Sequence, residues 1–239
     1  MSDRLRNIMD NYDKLKIGLD DTFRFHCTMC GKCCINREDI ILNPSDLYYM
    51  AKELGVEPKD VYTEYCESYL GETSRMVIVR IVPVGSIKRC PFLKERKCSI
   101  HKGKPTVCAL FPLGRALKAN TDDKNFPSSA QDVEYIFQSP DCGDASETHT
   151  VREWLKDYEH LTDATFFVKW FSAIADYADA IKKVEKRKSK ELLDTVSAAI
   201  LIYAYLNYNM DEDFLPQFEE NDKKLREVFD IALPSKTPK

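Results

Sequence analysis

Residues 27–34 read Cys27-Thr28-Met29-Cys30-Gly31-Lys32-Cys33-Cys34. Two consecutive two-residue spacers let a short loop wrap around one centre while its amides point at the sulfurs and stabilise thiolate charge. Gly31 suits such a loop, because so tight a curl often needs positive φ. The same spacing opens iron–sulfur runs and forms half of many zinc sites, so it points to metal without naming it. If the loop is extended, the adjacent Cys33 and Cys34 side chains point apart. The pair is then expected to serve two centres rather than one.

A second block carries Cys90-Pro91-Phe92-Leu93, Cys98, His101 and Cys108, with Cys142-Gly143 further on. The expected metal ligands are therefore Cys27, Cys30, Cys33, Cys34, Cys90, Cys98, Cys108 and Cys142. Eight thiols suffice for two four-thiolate sites, or for one cluster beside a single ion. Cys27, Cys30 and one of the vicinal pair are expected at the first centre, and the other pair member with the second block. The place of Cys142 and the role of His101 stay open. Cys66 is left over on an expected helix, where a free cysteine acts as a small hydrophobe.

The chain has 239 residues, nine cysteines and a formal charge of −4, with 44% hydrophobic residues. That supports a real core and argues against a general nucleic-acid binder. No signal-peptide pattern and no membrane span is read, so a cytoplasmic protein is expected. In that reducing compartment structural disulfides are rare, which favours metal. Charge is uneven: residues 84–118 carry nine basic side chains against Glu95 alone, while the flanking stretches are net acidic. The basic block reads as a solvated loop and as a counter-charge that keeps thiolates deprotonated, and both can hold together.

Periodicity predicts a helix over 4–16, a cysteine-rich loop over 26–38 and a helix from Pro44 to Leu54, capped at Asn43 and stopped by Gly55. It predicts a further helix over 58–69, a strand over 76–82 and loops with one short helix at Pro105. A loop over 119–131 and a strand over 133–137 follow. From Thr150 helical period runs to about Lys186, then over 190–207, with one or two short helices over 214–233. The fold class is α+β: a cysteine-cluster metal-binding module over 1–148, followed by a mainly helical module over 149–239. The aromatic stripe over 154–177 reads as core.

These residues resemble the YkgJ-type cysteine-cluster family, a zinc- or iron-chelating domain. The resemblance rests on Cys27-x2-Cys30-x2-Cys33-Cys34, Cys90-Pro91-Phe92-Leu93, Cys98-Ser99-Ile100-His101, Pro105-x2-Cys108, Phe111-Pro112 and Cys142-Gly143, and covers about residues 23–148. Lys104 and Ala109 stand where the family commonly has arginine, and His101 where tyrosine is common. The domain also occurs in a bacterial flagellin lysine methylase. The resemblance thus implies an iron–sulfur ([4Fe-4S]-type) centre or Zn²⁺, with S-adenosylmethionine as co-substrate and a protein bearing surface lysines as partner. The alternative is a non-catalytic zinc- or iron-stabilised binding module. Neither a radical-enzyme Cys-x3-Cys-x2-Cys nor a Gly-x-Gly strand-to-helix turn is present. If methylation holds, Phe167, Trp170 and Phe171 are candidates to wall a cleft between the two modules.

Overall fold

Asn43 starts the most strongly signalled helix of the chain. The computed structural model, which describes residues 3–117 and 133–233, shows how local signals of this kind combine with long-range pairing. Helices α1 (Asp3–Asp10) and α2 (Tyr12–Leu15) precede β1 (Lys16–Ile17). The helix expected over 4–16 is thus interrupted at Asn11, and Lys16 pairs with Ile136 instead. Strand β2 (Thr22–His26) leads into the cysteine loop, and β3 (Ile41–Leu42) follows it. Helix α3 (Pro44–Leu54) begins as predicted: the Asn43 side chain accepts from the Asp46 amide while Asp46 accepts from the Asn43 amide. Gly55, at φ 68°, closes it.

Helix α4 (Pro58–Tyr65) stops four residues short of the expected end. Cys66–Leu70 is instead β4, paired antiparallel with β5 (Val77–Ile81) from Cys66↔Ile81 to Leu70↔Val77. Strand β5 buries Val77, Val79 and Ile81, and β3 covers its other edge over only two residues. Pairing along the full length of β5 overrides the weak helical preference of 66–70.

The second cysteine block forms β6 (Leu93–Lys94), β7 (Lys97–Cys98) and α5 (Thr106–Leu110). Then come β8 (Leu113–Leu117), the expected β9 (Val133–Phe137) and β10 (Asp144–Thr150), which pairs back onto β2. The loop expected over 119–131 lies outside the described residues. Two short helices, α6 (Val151–Trp154) and α7 (Glu159–Thr162), precede the long α8 (Thr165–Lys186). Helix α9 (Lys190–Ile200) runs on as a π-helical turn over Leu201–Leu206, and α10 (Phe214–Ala232) is one helix. Short strands in the first half and helices in the second make the fold α+β, as the sequence implies.

Two apolar cores result. The first joins Ile40, Leu47, Met50, Val79, Phe92 and Ile100 to Trp170, Tyr177, Ile181, Phe218 and Leu225, so it draws on both sides of residue 148. The second gathers Phe23, Phe25, Leu110, Leu113, Tyr135, Leu155 and Tyr158. Most of the 154–177 stripe is core, with Trp170 and Tyr177 buried in the first and Leu155, Tyr158 and Leu161 in the second. Among the described residues no helix is long and apolar enough to cross a membrane.

Candidate metal centre

The two cores meet at a cavity of about 450 Å³. Ile40, Ile81, Phe92 and Ile100 of the first core form one wall, and Phe25 and Leu113 of the second form another. All eight cysteines of the two sequence blocks line it: Cys27, Cys30, Cys33, Cys34, Cys90, Cys98, Cys108 and Cys142. Cys66 does not; it sits at the start of β4, and burial pushes its thiol up to about 12. All nine cysteines are free thiols.

Several elements carry the cysteines to this place. The 27–34 loop continues β2, and the register Asp144↔His26 brings the Cys142-Gly143 turn beside it. Gly143, at φ 70°, packs so closely on the Phe25 ring and the His26 carbonyl that a side chain there would collide. The Cys90 amide donates to the Cys34 carbonyl at 2.8 Å, which ties the two blocks together. Cys98 is held by the β6–β7 pairing with Leu93, and Cys108 by α5.

The expected divergence of Cys33 and Cys34 is not what the structure shows. Their sulfurs stand 3.7 Å apart. Residues Lys32–Cys34 form a 3₁₀ turn behind Gly31 at φ 76°, and the Cys34 amide donates to the Gly31 carbonyl at 2.9 Å. With three residues per turn, successive side chains differ by about 120° in direction rather than the ~180° of a strand. Both thiols therefore face one cavity.

Electrostatics separates the thiols. The hydrogen bond from Cys34, acting against burial, holds the Cys33 thiol below its ordinary range, and the same contact together with burial pushes Cys34 up. The Lys32 amide lowers Cys30. Burial raises Cys90, Cys98 and Cys142, and raises Cys108 to about 12 with help from Cys90 and Cys98. Thiolates so placed need positive charge. Arg37, Arg96, Lys97 and Lys104 line the cavity, and among the described residues no carboxylate does. The basic block is thus only partly a solvated loop. Lys88 is spent on Glu38 at 2.6 Å, and Lys118 lies outside the described residues. Arg37, outside the block, was not foreseen. A cation close in sequence to the Cys-Cys pair was the only signal for it.

Among the described residues no three His, Cys, Asp or Glu side chains already converge as an ion site. The sulfurs stand around the cavity as free thiols. The donor set is nevertheless consistent: eight soft thiols, with His101 as the single imidazole on the wall. His101 lies 6.1 Å from the Tyr158 ring, centroid to centroid, while its carbonyl accepts the Tyr158 hydroxyl at 2.6 Å. Phe167, Trp170 and Phe171 do not line this cavity. Trp170 is buried in the first core, Phe167 lies under the Arg115 guanidinium at 4.0 Å, and Phe171 is exposed.

Residues 26–135 match a family model, CxxCxxCC, described as "Putative zinc- or iron-chelating domain". The chain is also 31% identical over 93 residues to the uncharacterized protein MJ0661 of Methanocaldococcus jannaschii, a match covering 37% of this chain and 44% of that protein. The chain therefore aligns with less than half the length of that relative. No solved structure is significantly similar to the chain.

Proposed function

We propose that this chain, a metal-binding cysteine-cluster protein by virtue of its residues 26–135, holds its metal as an iron–sulfur centre between the two cores. The observation that carries the reading is the lining of one cavity by eight thiols and, among the described residues, no carboxylate. Soft, sulfur-only donor sets select iron–sulfur clusters, zinc or Cu(I) over harder cations. The three-cysteine opening and the Cys90-Pro91 pair favour iron–sulfur over zinc. The cluster would supply a compact anionic group, and Arg37, Arg96, Lys97 and Lys104 would offset its charge. Anaerobic purification followed by an absorption spectrum and counts of iron, zinc and acid-labile sulfide tests this. Iron and sulfide together support it, and stoichiometric zinc without sulfide replaces it with the zinc-stabilised module.

A second reading adds catalysis. Small-molecule pockets begin at about 300 Å³, and the cavity's 450 Å³ falls in that range, so a co-substrate such as S-adenosylmethionine would share it with the metal. Desolvation of an acceptor lysine inside the cavity would favour its neutral, nucleophilic form. Calorimetry with S-adenosylmethionine on metal-loaded protein, with mass spectrometry for methyl groups on a lysine-rich protein, tests it. Absence of donor binding to loaded protein leaves the non-catalytic metal module.

A further inference from the structure

The eight thiols are not equivalent, and the difference follows the architecture. Cys90, Cys98 and Cys108 pack against the first apolar core. Cys34 joins them through its carbonyl, which accepts the Cys90 amide at 2.8 Å. At the other side of the cavity, Cys27 is exposed and shares the β2–β10 ribbon end with Cys142. Lys32 ties the two loops of that side together, its ammonium donating to the Asp141 carbonyl at 3.1 Å. A second, neighbouring cavity of about 340 Å³ reaches Cys33 and Cys142 and no other cysteine. Cys33 therefore stands on the wall between the two spaces, 3.7 Å from Cys34 by sulfur.

We infer that the cluster consists of two centres of unequal kind. Cys34, Cys90, Cys98 and Cys108 form an inner, four-thiolate centre sealed against the core. Cys27, Cys30 and Cys142 form an outer centre, which borders the second cavity at Cys142 alone, with Cys33 as the thiol through which the two touch. Cys142 is thereby assigned away from the other cysteines of the second half. With three thiols of its own, the outer centre is the one that exchanges ligands. The inner one, closed by four thiols, is the one that holds the fold, because binding energy at a site absent from the unfolded chain is folding energy.

The inference rests on the metal-binding reading above and is tested apart from it. Anaerobically purified protein is exposed to excess EDTA, metal remaining per chain is followed by elemental analysis, and helix content by circular dichroism. The expected result is two phases differing at least tenfold in rate, with helix content unchanged through the fast one. Cys142→Ser should lack the fast phase and keep the slow one, whereas Cys98→Ser should lose the slow phase. If Cys98→Ser fails to fold, the wild-type course and Cys142→Ser decide alone. Release in one phase, or equal metal loss in every phase for Cys142→Ser, overturns the division only. Protein that carries no metal overturns the proposed function and the division with it.

Discussion

The Asp46 carboxylate accepts two hydrogen bonds from Thr106, one from its amide at 2.7 Å and one from its hydroxyl at 2.5 Å. Asp46 is buried, and it also receives the Asn43 amide at 2.9 Å. One side chain thus starts α3 and fixes the first residue of α5, two positions before Cys108. Burial holds the Asp46 carboxyl above the usual range although each of these hydrogen bonds pulls it down. Thr106→Val removes one donor from a buried carboxylate and should cost about 1–3 kcal/mol in urea unfolding. Metal should also leave Thr106→Val faster than wild type, since Cys108 is positioned through the same contact.

Gly143→Ala should be more damaging than its size suggests. The residue sits at φ 70°, and an added Cβ would lie 2.5 Å from both the His26 carbonyl and the Phe25 ring. A loss of about 2 kcal/mol or more is expected in denaturant unfolding. A Gly143→Ala protein within experimental error of wild type would mean that the Cys142 turn is not packed as described.

Cys66 should be dispensable for metal. It lies outside the cavity, on a strand and not on the helix that its sequence neighbours suggest. Cys66→Ala should keep full metal content and lose about 1 kcal/mol through a small cavity. Cys98→Ala should lose metal. Elemental analysis of the two purified variants checks the contrast.

His160 supplies a pH signature unrelated to the thiols. It stacks on Tyr49 at 3.8 Å, and burial, then the Arg115 charge, lowers its pKa to about 4. A histidine depressed in the folded state contributes stability that is fully present above its unfolded value of about 6.5 and is lost as pH falls through the folded value. Stability should therefore decline between pH ~6.5 and ~4 by at most about 3 kcal/mol on this account. His160→Gln should flatten that window in chemical-denaturation curves taken across it.

A chain ended at residue 148 should not fold cooperatively, even with metal. It would keep Ile40, Leu47, Val79 and Phe92 of the first core and lose Trp170, Tyr177, Ile181, Phe218 and Leu225. Circular dichroism and a urea titration of the truncated chain check this, and a sharp two-state transition would show that 1–148 stands alone.

How much of this was legible in advance depended on range along the chain. Asn43, Pro44 and Gly55 are local signals, and α3 follows them residue for residue. The eight cysteines were legible as a set because thiol spacing reflects chemistry directly. Strand β4 was not, since what makes Cys66–Leu70 a strand is an edge of β5 that only the fold presents. The pairing of β2 with β10, which brings Cys142 to Cys27, joins residues more than a hundred positions apart and leaves no local trace. The direction of Cys33 and Cys34 is hidden for a smaller reason. Their direction depends on whether three residues are extended or turned, and Gly31 at the turn's start was the one hint available.

The chain has two tryptophans, and each apolar core has one. Trp154 packs edge-on against Phe23 and Phe25, at 5.7 Å from each ring, beside the strand that leads into Cys27. Trp170 lies among Tyr177, Tyr205 and Phe218, in the core that backs Cys90, Cys98 and Cys108. The molecule therefore contains a separate optical probe on either side of its seam. Fluorescence of Trp154→Phe reports the helical side and that of Trp170→Phe the ribbon side, so the order in which the two sides loosen can be read from emission alone.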